Sequence, residues 1–164
     1  GQSLSLIRGI KSSIYQTIVT LDGDGQNNPA NIPELINKYM SDDTIYLVGG
    51  IRVKRKDSLI KKYSSLIANN FRKFILNDDC LDTGCSLKVF DKKIFLSLPA
   101  FDGIHRFLPA LFKGYKKKTF FIEVDHRPRL YGISKYGIFG RLIKGIIDII
   151  RVVKIIKNYK QNNA

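Results

Sequence analysis

The chain has 164 residues, of which 44% are hydrophobic and 26% charged; this suits one folded domain with a sizeable core and excludes a disordered chain. Its 28 Lys and Arg against 14 Asp and Glu give a formal charge of +14, which favours anionic partners: phosphorylated ligands, nucleic acid or an anionic membrane surface. Cys80 and Cys85 are too few for a disulfide framework or a four-ligand zinc site, and are expected to be reduced core residues in a cytosolic compartment. The N-terminus does not read as a signal peptide, and no stretch approaches the ~20 apolar residues of a spanning helix.

The opening "GQSLSLIRGIKSSIYQ" reads as a helix already under way, with Leu6, Ile7, Ile10 and Ile14 on one face. A domain that starts on a helix without its preceding strand looks truncated, so Leu6 and Ile10 are expected to be short of packing partners. A buried strand follows, Thr17 to Leu21, ended by the glycine-rich "DGDG" turn. Asn31 is placed to cap a helix through Met40, with Pro33 in its first turn. "TIYLVGG" (Thr44 to Gly50) is a second strand and "IRVKRKDS" a basic loop. Asp57 or Ser58 then opens a long helix with apolar residues at helical spacing from Leu59 to Ile75. "GCSLKVF" and "TFFIEVD" read as further strands, with helical stretches around "DKKIFLSL" and "HRFLPALFKGY". Strands alternating with helices imply an α/β layer structure.

The last segment, "IFGRLIKGIIDIIRVVKIIK", sets Arg141, Lys144, Asp148 and Arg151 at intervals of three or four, and Lys154 and Lys157 extend the basic side. Between them lie Ile, Leu, Val, Phe and Gly. A core helix and an interfacial membrane helix both fit this pattern; a narrow cationic stripe beside a wide apolar face favours the interface.

Asp22 and Asp24 directly follow the first strand. Along an extended backbone, residues 22, 24 and 26 share one side, so Asp22, Asp24 and Gln26 offer oxygen ligands at a carboxyl strand end. Oxygen donors suit Mg²⁺ or Mn²⁺, which bind through one or two carboxylates plus substrate phosphates. Strand carboxyl ends are also where open α/β sheets bind ligands. Taken alone, Asp-Gly-Asp-Gly is equally a turn. Two basic constellations accompany it: Arg52, Lys54, Arg55 and Lys56 with Lys61, Lys62 and Ser65; and Arg127, Arg129, Ser134 and Lys135 around a glycine turn. Together they describe a site for two phosphorylated partners, one on a metal and one on cations.

"TLDGDGQNNPANIPEL", "GIR…KDS…KKYSS", "DTGCSLKVFDK", "FDGIHRFLPAL" and "HRPRLYGISKYG" occur in this order, at similar spacing, in the polyprenyl-phosphate glycosyltransferases. The sequence resembles that branch of the inverting family-two enzymes, which includes dolichol-phosphate mannosyltransferase, from Gly1 to about Lys157. The resemblance implies a partial GT-A fold over residues 1–137, followed by an amphipathic interfacial helix and polar tail over 138–164. It also implies transfer of a sugar from a nucleotide diphosphate-sugar to a polyprenyl (dolichyl or undecaprenyl) phosphate, at the cytoplasmic face of a membrane.

Under that resemblance Asp24 and Gln26 contact the divalent ion, Mg²⁺ or Mn²⁺, and Asp22 lies beside the nucleotide-sugar. Arg52 matches a phosphate-binding arginine. Lys61 stands where many members carry a second arginine, with Ser65 four residues on; lysine keeps the charge but loses bidentate geometry. Arg129, Ser134 and Lys135 match the "R-x-x-G-x-S-K" motif, Arg127 adds a further cation, and Asp82 falls in the acceptor-side "DTGC" segment. A lipid monophosphate is already anionic, so the nucleophile needs no base, and His105 and His126 are expected to be structural. The family's opening strand and its "DDGSTD" nucleotide-binding segment are absent. The expected partners are therefore the two substrates, an anionic membrane surface and a separate N-terminal segment, with activity impaired in this chain. A non-catalytic membrane- or partner-binding remnant is the alternative. Nucleic acid is not expected, because acidic ligands stand beside the cations and no nucleic-acid-binding motif is present.

Overall fold

The computed structural model describes residues 1–53, 70–127 and 138–162, the side chains of 138–143 excepted. The elements run α1 (Gln2–Ser12), β1 (Thr17–Thr20), a 3₁₀ turn (Pro29–Asn31), α2 (Ile32–Met40) and β2 (Ile45–Val53). A helical segment α3, described over 70–76, comes next. Then follow β3 (Lys88–Asp91), α4 (Lys92–Ser97), a 3₁₀ turn (Ile104–Arg106), α5 (Leu108–Gly114), β4 (Lys118–Asp125) and α6 (Ile138–Asn162). The four-stranded sheet has the order β1-β3-β2-β4. β3 is antiparallel to both neighbours, whereas β2 and β4 are parallel.

Strand alternation divides the core between the two faces of the sheet. Leu47 and Phe90 point to one face, where they meet Ile10, Phe95, Leu108, Leu111, Phe112 and Val152 from the helices. Val48 and Val89 point to the other, against Leu35 of α2, with Leu87 and Val124. A fully buried side chain of this size contributes roughly 1.5–3 kcal/mol, and Phe90 and Phe112 are both completely covered. Cys80 and Cys85 are free and buried, as expected, and burial pushes both thiols up.

Several local expectations change. α1 ends at Ser12, so Ile14 leaves the apolar face and stands 86% exposed. Ile10 is buried in the larger core and Leu6 packs against it, so the first helix does not lack partners. Asn31 makes no side-chain cap on α2; its Oδ1 instead accepts from the Asp125 amide, 3.2 Å away. Asn28 caps the preceding 3₁₀ turn. β2 runs on to Val53, so "IRV" belongs to the sheet, not to a loop.

α6 also departs from its stripe. Asp148 faces inward, buried, where the Arg106 guanidinium reaches it at 2.6 Å. Ile146, Ile147, Ile150 and Val153 face outward. The inner side joins the core through Ile149, Val152 and Ile156, and Tyr159 stacks on Tyr115 with ring centroids 3.7 Å apart. Helices α5 and α6 come this close because of Gly114: a Cβ there would sit 2.5 Å from the Ile156 side chain. No described helix is long and apolar enough to cross a membrane.

Candidate active site

The segment after β1 does not stay extended. Residues 23 and 24 form a turn, and Gly25 adopts a φ of 74° that L side chains avoid. Asp22 and Asp24 therefore do not share one side by strand alternation, contrary to the expectation from spacing; the turn sends them to different surroundings. The Asp22 carboxylate accepts a hydrogen bond from Gln2 Nε2 at 3.0 Å, and its amide donates to Ser86 Oγ. Asp24 Oδ1 accepts from the Gln26 amide at 3.1 Å, closing the turn. The side-chain nitrogen of Gln26 lies 3.3 Å from His126 Nε2 and 3.4 Å from the Arg127 carbonyl oxygen. That orientation turns the Gln26 side-chain oxygen away from both. A carboxylate and an amide oxygen on one tight turn fit a hard divalent cation that takes most of its remaining ligands from phosphate and water.

β4 delivers Arg127 to this turn. An isolated bridge joins Asn27 to His126, and the Arg127 amide donates to the Gln26 carbonyl at 2.9 Å. The Arg127 guanidinium donates to Asn28 Oδ1 at 2.8 Å. A cation predicted from a distant motif is thus fixed beside the acidic turn. Lys61, Ser65, Arg129, Ser134 and Lys135 lie outside the described residues.

Arg52 and Asp82, separately singled out in the sequence, form one unit. The guanidinium grips the carboxylate with two bonds of 2.6 and 2.7 Å, and the Arg52 amide donates a third of 3.1 Å. Such a fork fixes the plane of the guanidinium, so Asp82 acts here by holding Arg52. Gly84 is part of the fit: a Cβ on it would lie 2.6 Å from an Arg52 nitrogen.

Beside Asp22 and Gly84 opens a cleft of about 440 Å³, lined also by Ser86, Lys88, His105 and Arg106. His105 Nδ1 lies 3.0 Å from Ser3 Oγ. Burial, reinforced by the Arg106 charge, lowers the His105 pKa to about 4, so the ring is neutral near pH 7. Lys88 is a residue that sequence reasoning missed. It sits inside "GCSLKVF", and only its burial (3% exposed) sets it apart from the other lysines; a charge at an inward strand position was the available signal.

A mixed sheet with helices on both faces and a cleft at the carboxyl end of β1 is the architecture of a GT-A glycosyltransferase. Residues 1–98 match the glycosyl transferase family 2 signature, and the chain belongs to that family. It is 35% identical over 156 residues to a dodecaprenyl-phosphate galacturonate synthase of Rhizobium johnstonii, covering 93% of this chain and 46% of that protein. It is 31% identical to an undecaprenyl-phosphate 4-deoxy-4-formamido-L-arabinose transferase of Pectobacterium atrosepticum, covering 92% and 45%. The chain thus spans about half the length of these relatives. In fold it is similar to glucosyl-3-phosphoglycerate synthase of Mycobacterium tuberculosis. The complex of that enzyme with uridine diphosphate superposes with a TM-score of 0.66 at 14% identity, covering 94% of this chain and 56% of the other. The complex with Mn²⁺, uridine-diphosphate-glucose and glycerol 3-phosphate gives 0.60 at 16% identity, covering 93% and 53%.

Proposed function

We propose that this chain carries the metal, phosphate and acceptor elements of a polyprenyl-phosphate glycosyltransferase. The reaction moves a sugar from a nucleotide diphosphate-sugar to the phosphate of a dodecaprenyl-, undecaprenyl- or dolichyl-type lipid. The observation that carries this reading is the Asp22–Gln26 turn at the end of β1. Asp24 and Gln26 lie together on that turn, where Asp24 Oδ1 accepts from the Gln26 amide, and Asp22 lines the adjoining cleft. The divalent ion, Mg²⁺ or Mn²⁺, would be held by Asp24 and Gln26 and, when bound, neutralises charge on the departing diphosphate.

The chain's own residues do the positioning. Asp22 orients the donor sugar. Arg52, locked by Asp82, holds phosphate together with Lys61, Ser65, Arg127, Arg129, Ser134 and Lys135. A phosphate oxygen of the lipid attacks the anomeric carbon as the bond to the diphosphate oxygen breaks, inverting the configuration. The lipid phosphate is already ionised, so no general base is required, and a neutral His105 is compatible with that. A further segment, pairing with the open edge of β1, would complete the nucleotide pocket. Among the described residues β1 pairs only with β3, and a groove lined by Leu6, Ile10, Ile18 and Val19 runs beside it, so a further strand would pair there. α6 lies on the cytoplasmic surface of an anionic membrane through Ile146, Ile147, Ile150 and Val153, flanked by cations.

The test is transfer of radiolabelled sugar to polyprenyl phosphate, with the N-terminal half of a longer relative supplied as a fusion. Transfer is expected in the fusion and at no useful rate in the 164-residue chain alone, because loose donor placement forfeits the advantage of orientation. Asp24→Asn should weaken Mn²⁺ binding severely in the presence of uridine diphosphate, as read by electron paramagnetic resonance. An inactive fusion whose Mn²⁺ affinity is unchanged by Asp24→Asn would overturn the reading.

A further inference from the structure

Lys88 stands two residues before Phe90 on β3, opposite Thr20 of β1 and Gly49 of β2. Alternation turns Lys88 and Phe90 to the same face of the sheet, the face of the larger apolar core. An ammonium at such a position is strongly disfavoured unless something compensates it. Lys88 donates to the Cys85 carbonyl oxygen, yet an ammonium has three donors. Among the described residues no carboxylate lies within ion-pair distance of it. The side chain lines the cleft that Asp22 also lines. The other cation named there, Arg106, already has Asp148. Burial lowers the Lys88 pKa, which is the electrostatic cost an incoming anion would offset. Departures from the apolar pattern that nothing inside the fold compensates are characteristic of ligand sites.

We propose that Lys88 is an anion-binding residue: it meets an oxyanion of the sugar donor, either a carboxylate of an acidic sugar or a phosphate oxygen, drawn into the cleft beside Asp22. The identity of the ligand as a donor rests on the glycosyl-transfer reading; the anion subsite does not.

The experiment titrates the 164-residue chain with galacturonate, with galactose and with inorganic phosphate. It follows the amide resonances of Asp22, Gly84 and Ser86 and the Lys88 ammonium resonance. Wild type is compared with Lys88→Met, and with Lys93→Met as a surface control. At least one anion should bind the wild type and Lys93→Met alike, and bind Lys88→Met tenfold or more weakly, while galactose makes no distinction. Binding of galacturonate alone assigns the carboxylate, phosphate alone assigns the donor phosphate, and both together assign a general oxyanion subsite. Equal anion affinity in wild type and Lys88→Met, or no anion-dependent shift of these resonances, overturns the proposal. Should Lys88→Met misfold, the wild-type Lys88 ammonium signal decides: it must move with an anion and stay still with galactose. If the fusion transfers no sugar while Lys88-dependent anion binding persists, the function falls and the subsite stands. Unaltered transfer kinetics in a Lys88→Met fusion would overturn the sugar donor as the ligand of Lys88 and leave the function.

Discussion

Among the described residues the fold buries two cations, Arg72 and Lys88, and treats them oppositely. Arg72, in α3, holds Asp78 with two bonds of 2.9 and 3.1 Å and donates a third, 2.7 Å, to the Cys80 carbonyl. Lys88 has only a neutral carbonyl among the described residues. The first charge is answered within six residues of chain and ties the end of a helix to the segment after it; the second is left on a cleft wall. Even the answered charge is not comfortable, since burial raises the Asp78 carboxyl despite the Arg72 charge beside it. A buried ion pair is thus weak evidence for stability, but losing one member leaves the other stranded. A buried cation with a carboxylate is fold; one without is a candidate for ligand.

The largest effect that can break this comparison is at Arg72. Arg72→Met should cost about 3–5 kcal/mol by urea denaturation, because Asp78 stays buried without its partner. Replacing both, Arg72→Met with Asp78→Leu, should recover most of the loss. If the single change is harmless, the pair is not structural.

The cleft wall should next show its character in the pH dependence. A His105 that titrates near 4 in the fold and near 6.5 when unfolded makes the unfolded chain bind more protons between those values. Its contribution is therefore complete above about pH 6.5 and is lost as the pH falls toward 4. Urea midpoints measured across that window should flatten in His105→Gln.

Lys88→Met should leave stability unchanged or raise it, since an apolar side chain replaces an uncompensated charge at a core-facing position. A large loss of stability there would place Lys88 with Arg72 as a structural cation.

The smallest effect belongs to the surface. Lys113 and Asp79 pair at 2.6 Å with both side chains substantially exposed, and Lys113→Ala should change stability by only a few tenths of a kcal/mol. A thermal-melt shift as large as that of Arg72→Met would dissolve the distinction between buried and exposed charge.

The sequence by itself determined what depends on neighbours along the chain. Local patterning gave α2 and β4 close to their observed limits, and the existence but not the ends of β2, β3 and α5. Asp24 and Gln26 were singled out by spacing along an extended strand, a local argument that the turn at Gly25 overrides, and by the ordered motifs. Five ordered motifs were enough to anticipate the family. Tertiary structure decided whatever depends on residues far apart. Arg52 and Asp82 are 30 positions apart, so their union was not legible from either motif. Asp148 looked like part of an outward polar stripe until Arg106, 42 positions earlier, drew it inward. Ile14 looked like core until α1 ended two residues before it. Lys88 looked like one lysine among many, because periodicity says which side chains share a face, while burial and charge compensation are set by what the rest of the chain brings to that face.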